Sequence, residues 1–264
     1  MYPTLIRIGG FEISSFGVMM AAAFLAGGFV LSREFRRYGM RPDLATPLVV
    51  SCALGGLAGA KIYYAILYQD WHLLFARAGL VWYGGFAGGF IAALFFIRRT
   101  RIPLARTCDS AAPALALGYG IGRIGCFLVG DDYGRPTRSF LGIAFPHGLP
   151  PTTAASLREF GARVPSDVSP DALLRVHPTQ LYEAAAGVLI FWTLLRISRN
   201  NRRPGTVFAW FLVFAGFERF LVEILRAKDD RFFDPFTLAQ AISAGLLCVG
   251  GVLLAKTRGR RSEI

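Results

Sequence analysis

The chain has little acid and almost no cysteine. It carries 17 aspartates and glutamates against 29 lysines and arginines, for a net charge of +12. Its four cysteines, Cys52, Cys108, Cys126 and Cys248, all fall in apolar stretches, so they supply neither a disulfide framework nor a CxxC metal site. There is no internal repeat, no low-complexity tract, no nucleotide-binding loop and no metal-ligand cluster. Also missing is a basic face interleaved with aromatics, the footprint of nucleic-acid binding. Nucleic acid is therefore not an expected partner, and the surplus arginine reads as membrane topology and contact with anionic lipid.

What the chain has in quantity is apolar length. Of its 264 residues 54% are hydrophobic and 23 are Phe, gathered into runs of about 20, the length that crosses a hydrocarbon core of roughly 30 Å. A soluble helical core does not need so many unbroken runs. The first run, around Ile13 to Leu31, is too long for a signal-peptide core, and basic residues follow it instead of preceding it. It reads as a retained span.

Spans are predicted at 12–32, 46–68, 79–97, 108–129, 179–197, 205–225 and 236–255. Arg33, Arg36, Arg37 and Arg41 follow the first, and Arg98, Arg99, Arg101 and Arg106 the third. Arg196, Arg199, Arg202 and Arg203 follow the fifth, and Lys256, Arg258, Arg260 and Arg261 the seventh. Basic residues mark cytoplasmic loops. The expectation is an all-α polytopic membrane protein of about seven transmembrane helices, N-terminus outside and C-terminus inside. Residues 1–264 would form a single membrane domain, with 130–178 inserted as a small outer head containing a short helix near Thr153 to Phe160. Trp71 and Trp82 stand near predicted outer ends, as interface anchors do.

Ionisable residues inside a span cost about 2.5–3.5 kcal/mol each on insertion scales, so each needs a reason. Arg123 lies in the fourth span, Glu218, Arg219 and Glu223 in the sixth with Arg226 at its end, and Glu183 opens the fifth. Arg219, Glu223 and Arg226 share one helix face by their spacing. An ion-pair ladder accounts for Glu218 and Arg226. Arg123 and Arg219, at matching depth near the outer surface, instead call for a carboxylate or an anionic ligand. A phospholipid phosphate is the anion available there, and a guanidinium meets it as a bidentate fork. Gly84, Gly85, Gly88 and Gly89 open the third span and Gly122, Gly125, Gly130 and Gly134 punctuate the end of the fourth. They admit close approach of a helix or a ligand, and helix packing is the simpler reading for the third span. Asp131, Asp132 and Tyr133 follow at the surface, where a solvated acidic turn is the plain alternative to a function. His177 lies in a His-Pro-Thr-Gln helix start, which gives it a structural role as readily as a chemical one. Cys126 is a candidate nucleophile or, more simply, a small apolar filler. Lys61 either pairs with Glu183 or snorkels outward.

These stretches resemble a known family. Gly122-Arg123-Ile124-Gly125-Cys126-Phe127-Leu128-Val129-Gly130-Asp131-Asp132-Tyr133-Gly134-Arg135 is similar to the signature of bacterial prolipoprotein diacylglyceryl transferases. His177-Pro178-Thr179-Gln180-Leu181-Tyr182-Glu183 and Arg219-Phe220-Leu221-Val222-Glu223-Ile224-Leu225-Arg226 resemble two further motifs, and Tyr83-Gly84-Gly85 a fourth, weaker one. The resemblance implies a seven-helix enzyme of the bacterial inner membrane with a periplasmic head. Its partners would be phosphatidylglycerol, the signal peptides of prolipoproteins and the lipid bilayer, with no cofactor and no metal. The family's essential arginines map onto Arg123 and Arg219, and its motif carboxylate onto Asp131, where Glu is usual. Glu223 and Gly134 match directly. This chain has Tyr83 where better-known members have His, Cys126 where they have Asn, Phe16 for a first-span tyrosine and Lys61 for an arginine.

The implied reaction moves a diacylglyceryl group onto the lipobox cysteine, forming a thioether and releasing glycerol phosphate. Arg123 and Arg219 would stabilise the leaving phosphate, and Tyr83, His177 or Asp131 would accept the thiol proton. Arg123, Arg219, Glu223, Gly84, Gly85, Cys126, Gly134 and Gln180 would line the substrate site. Two other classes compete. A non-catalytic phospholipid-binding relative would keep the arginines without turnover. A small-solute transporter would favour midplane charges and inverted repeats, whereas here the charges gather toward one face.

Overall fold

The computed structural model describes residues 2–9, 11–76, 79–200, 203–227, 231–233 and 236–259. Among the basic residues that set the topology, Arg202, Arg260 and Arg261 lie outside the described residues. The chain opens with an antiparallel hairpin, β1 (Thr4–Ile8) and β2 (Phe11–Ser14). Helices α1 (Ser15–Arg37), α2 (Ala45–Tyr68), α3 (Trp82–Thr100) and α4 (Leu104–Val129) follow. The short α5 (Ala154–Glu159) precedes α6 (Thr179–Asn200) and α7 (Thr206–Leu225). A second small hairpin, β3 (Arg231–Phe233) and β4 (Phe236–Thr237), leads into α8 (Leu238–Gly259).

The seven long helices match the seven predicted runs. The first differs at its start, because residues 12–14 pair with β1 and the helix begins only at Ser15. The fourth begins earlier than its apolar run. The Pro103 carbonyl receives the Thr107 amide at 2.9 Å, and the helix continues through Pro113, at the loss of one i→i−4 bond. Among the described residues, five stretches are long and apolar enough to cross a membrane: Ser15–Arg37, Pro42–Tyr68, Leu104–Val129, Thr179–Asn200 and Leu238–Thr257. The protein is thus a multi-spanning membrane protein built on helices. Every 18-residue stretch of α7 holds all three of Glu218, Arg219 and Glu223, more charge than any of those five carries over its most apolar 18 residues.

By internal packing the chain forms two compact units, residues 27–111 and residues 1–26 with 112–264. In the first, α2 and α3 cross at glycines. A methyl group on Gly59 would meet the Gly84 carbonyl, and one on Gly55 would meet the Gly88 carbonyl at 2.8 Å. Removing side chains here lets the two backbones touch, the small-residue mode of membrane helices.

In the second unit, Ala112, Ala116, Leu194 and Val207 form a buried core between α4, α6 and α7. A Cβ on Gly187 would stand 3.0 Å from the Gly120 backbone, and Gly216 packs against the Ser243 carbonyl. The 130–178 segment folds as a lobe around buried Tyr133, Phe145, Leu157 and Val176. Its short helix is α5, capped by the Thr153 hydroxyl accepting from the Ser156 amide at 3.2 Å, the usual device for an orphan N-terminal donor. Isolated bridges Gly134–Arg226 and Pro136–Val176 tie the lobe to the α7 end and to the strand-like run entering α6.

Candidate functional site

Four segments of the second unit bring their charged residues to one place. Arg123 stands near the C-terminal end of α4, Glu183 on the first turns of α6, Arg219 and Glu223 on α7, and Asp132 in the turn after α4. Arg123 Nη2 lies 3.1 Å from Glu183 Oε1 and its Nη1 donates to Asp132 Oδ2 at 3.0 Å. Arg219 Nη1 lies 4.0 Å from the same Glu183 oxygen, and its Nη2 is 2.6 Å from Glu223 Oε2. Arg226 Nη2 donates to Asp132 Oδ1 at 2.7 Å. Two carboxylates, Glu183 and Asp132, therefore string three guanidiniums together.

Burial grades across this string. The Glu183 side chain is 1% exposed and that of Asp132 40%. The Glu183 end is closed and the Asp132 end is open to ligand. Arg219 Nη1 is buried without a hydrogen-bond partner among the described residues, and an unmet cationic donor is expensive unless something accepts from it. Arg219 Nη1 therefore faces the Glu183 carboxylate at 4.0 Å without a hydrogen bond to it.

Asp132 is held, not merely solvated. Its φ of 54° is left-handed, an uncommon state for a non-glycine residue. Its carbonyl accepts from the Thr179 hydroxyl at 2.9 Å, while the Asp131 carbonyl accepts from Gln180 Nε2. Gln180 and Thr179 are fully buried, so the start of α6 clamps both carbonyls of the acidic turn. The two side chains then diverge. Burial pushes Asp132 up, but Arg226 and Arg123 outweigh it and leave the carboxyl below its ordinary range. Burial lifts Asp131 above that range, with the neighbouring Asp132 charge adding to the effect, and Asp131 Oδ1 is buried without a hydrogen-bond partner among the described residues.

Tyr119, one turn before Arg123, extends the network. Its hydroxyl donates to Glu183 Oε1 at 2.8 Å and stands 3.3 and 3.4 Å from the two Glu218 oxygens. The Arg123 guanidinium carbon lies 5.1 Å above its ring. Tyr119 was not among the predicted site residues. Its spacing of four from Arg123 on one helix is the signal that would have found it.

The other predicted residues distribute as follows. His177 joins the lobe to α6 through its backbone, accepting from Gly134 N at 2.8 Å and donating to Arg135 O at 3.0 Å. Its Nδ1 is 3.4 Å from the Tyr182 hydroxyl. Gly134 is where it is because a Cβ would strike the Leu225 carbonyl and the His177 Cβ. The Cys126 thiol is within 4.8 Å of a carboxylate oxygen of both Asp131 and Asp132. Arg123 and Arg226 already supply the positive charge there, so the grouping is an ion-paired turn, not the shell of a cation. Tyr83, Gly84 and Gly85 belong to the other unit. Tyr83 is 54% exposed at the start of α3, Gly84 is buried against Gly59 and Tyr63, and a Cβ on Gly85 would stand 3.5 Å from the Gly56 carbonyl. Lys61 of that unit donates to the Ala76 carbonyl.

Comparison with known proteins gives one family and a consistent set of relatives. The family model described as prolipoprotein diacylglyceryl transferase matches residues 3–256. A Geobacter sulfurreducens protein named phosphatidylglycerol–prolipoprotein diacylglyceryl transferase is 32% identical over 94% of this chain and 92% of its own length. Proteins of the same name from Clostridium tetani (28% identical, 95% of each chain) and Xanthomonas euvesicatoria pv. vesicatoria (31%, 97% of this chain and 91% of that one) are similar throughout.

Proposed function

The chain belongs to the prolipoprotein diacylglyceryl transferase family, and from that membership we propose that it transfers a diacylglyceryl group from phosphatidylglycerol to the lipobox cysteine of a prolipoprotein. At the level of the family it is a transferase acting on phospholipid and lipoprotein substrates. The observation that carries the finer reading is the meeting of Arg123 and Arg219 on the single carboxylate of Glu183, with Arg219 Nη1 buried and making no hydrogen bond among the described residues.

The cysteine sulfur, as thiolate, attacks the glycerol carbon that bears the phosphate ester. The S–C bond forms, the C–O bond breaks, and glycerol phosphate leaves with the electron pair. The thiol proton passes to an acceptor, for which Asp131, His177 and Tyr83 are the candidates. Negative charge grows on the departing phosphate, so Arg123 and Arg219 stabilise the transition state more than the bound lipid, the condition for raising kcat. Their positive charge also favours the thiolate in a site where burial opposes it. Asp132, the most exposed of the carboxylates in the cluster, is the one an incoming phosphate displaces from Arg123 and Arg226. Glu223 and Gln180 position Arg219 and the acidic turn, Gly134 keeps the turn close to α7, and Cys126 packs beneath it.

In this reading 1–264 is a single domain of the bacterial inner membrane with seven spans. The N-terminus and the 130–178 head face outward and the C-terminus faces the cytoplasm. The test is incubation of the purified protein with phosphatidylglycerol and a lipobox peptide, followed by mass analysis. The expected product carries a diacylglyceryl thioether. Arg123→Ala and Arg219→Ala each reduce its formation by at least about 100-fold, with helical content retained. Binding of phosphatidylglycerol without any adduct from the unaltered protein would reassign the chain as a lipid-binding relative.

A further inference from the structure

The head carries a second cationic feature that the transfer reaction does not use. Arg138, Arg163 and Arg175 line a cleft of about 280 Å³ together with Val164, Val168 and Leu174, and no acidic residue is in its lining. Arg138 and Arg163 are exposed and make no ion pair or hydrogen bond among the described residues. Three guanidiniums sharing one cleft without a carboxylate repel one another unless an anion joins them.

The same residues build an apolar tip. Arg175 Nε donates to the Gly142 carbonyl at 2.8 Å and its Nη2 to the Phe140 carbonyl at 3.2 Å. Within the turn, the Gly142 amide donates to Ser139 O at 3.0 Å and the Leu141 amide to Ser139 Oγ at 3.3 Å. Gly142 is required, because a Cβ there would stand 2.8 Å from Thr137 Cγ2. This braced turn holds Phe140 87% exposed and Leu141 49% exposed. A single exposed apolar residue needs no explanation. An aromatic and a leucine on an ordered turn, buttressed by one arginine of an uncompensated cationic cleft, do.

A bilayer surface meets both needs, with rings seated at the acyl boundary and guanidiniums on the phosphates above. The tip is within reach of it. Phe140 is six residues from Gly134, whose amide bonds to His177 at the entrance to α6, so it stands no more than about 22 Å from Gly134. We propose that Phe140 and Leu141, with the Arg138–Arg163–Arg175 cleft, form a membrane-surface anchor that holds the head against anionic phospholipid headgroups.

The test uses the full chain in nanodiscs of zwitterionic lipid with increasing fractions of anionic lipid. A Phe140→Trp variant is compared with its parent, which has 4 tryptophans, so that the difference spectrum reports the tip. The expected added emission is blue-shifted, quenched by lipids brominated near the glycerol end of the acyl chain, and increasingly so as anionic lipid rises. Introducing Arg138→Glu and Arg163→Glu, both exposed and unbonded, moves that response to higher anionic fraction, by about fivefold per arginine. An added emission quenched by aqueous iodide and indifferent to brominated or anionic lipid overturns the proposal. A shift obtained only on adding an acidic peptide also overturns it and makes the cleft a peptide site. Lipid transfer is no part of the readout, so an inactive protein with an embedded tip and an active one with a solvated tip are separate results.

Discussion

Glu183 is the residue on which the cluster turns. It is 1% exposed, accepts from Tyr119 and faces both Arg123 and Arg219. Removing one partner from a buried ion pair leaves the other charge uncompensated, at a cost of about 3–5 kcal/mol. Glu183→Gln keeps the shape and the Tyr119 contact but removes the charge, and is expected to lower thermal stability in detergent by about 3 kcal/mol. Tyr119→Phe removes only a hydroxyl and is expected to cost about 1 kcal/mol. If the two variants unfold at the same temperature, Glu183 is not the shared counter-ion.

The adjacent aspartates make a sharper residue-scale prediction because their shifts have opposite signs. Asp132 is lowered in the fold, so its stabilising contribution is complete above the unfolded carboxylate value near pH 4 and is lost as pH falls through the folded value. Asp131 is raised, so its contribution is complete below about pH 4 and is lost as pH rises through its folded value. Asp132→Asn should therefore lower the melting temperature at neutral pH, with the difference shrinking in acid. Asp131→Asn should raise the melting temperature at neutral pH, and that difference too should vanish in acid. Melting curves at pH 3.5, 5 and 7.5 check both, and changes of the same sign would refute the assignment.

Among the elements, the α2–α3 pair depends on the absence of side chains. Gly55, Gly59, Gly84 and Gly88 stand where a Cβ would meet the opposing backbone. Gly88→Ala is expected to cost about 1–3 kcal/mol through overpacking. Gly245→Ala in α8, where nothing lies within 4 Å, is expected to be neutral or slightly stabilising, since alanine is the better helix former. Equal effects in a thermal-shift measurement would contradict a packing role. Glycine spacing made Gly84 and Gly88 visible, but neither the face of α3 they occupy nor Gly55 and Gly59 opposite them. Gly84 entered as a substrate-binding candidate and the structure buries it against Gly59 and Tyr63, a contact that the motif alone does not disclose.

Over the whole molecule, basic residues predict sidedness. The C-terminal ends of α1, α3, α6 and α8, with the residues that follow them, carry the arginine and lysine clusters, and charge of that kind resists translocation. A cytoplasm-active reporter fused at the C-terminus should be active. A cysteine at Ser166 in the head should react with a membrane-impermeant maleimide from outside in intact cells. Labelling of Ser166→Cys only after the membrane is opened would invert the topology. The opposite outcome at both positions would leave the cluster facing the wrong leaflet for the proposed reaction.

The sequence by itself determined the seven long helices and the position of the short helix after Thr153, and it marked Arg123 and Arg219 as charges inside spans that need a partner. The long helices follow from apolar length and the arginines from the cost of a charge inside a span. Tertiary structure alone decided that Glu183 joins those two arginines, that Asp132 bridges Arg123 to Arg226, and that Tyr119 reaches from α4 to Glu183 and Glu218. These partners are between 9 and 99 positions apart in the chain, and all but Arg123–Asp132 are more than 30 apart. Helical periodicity says which residues share a face, but only the packing of α4 against α6 and α7 says which faces meet. Charge neutralisation in a site shielded from water depends on that meeting.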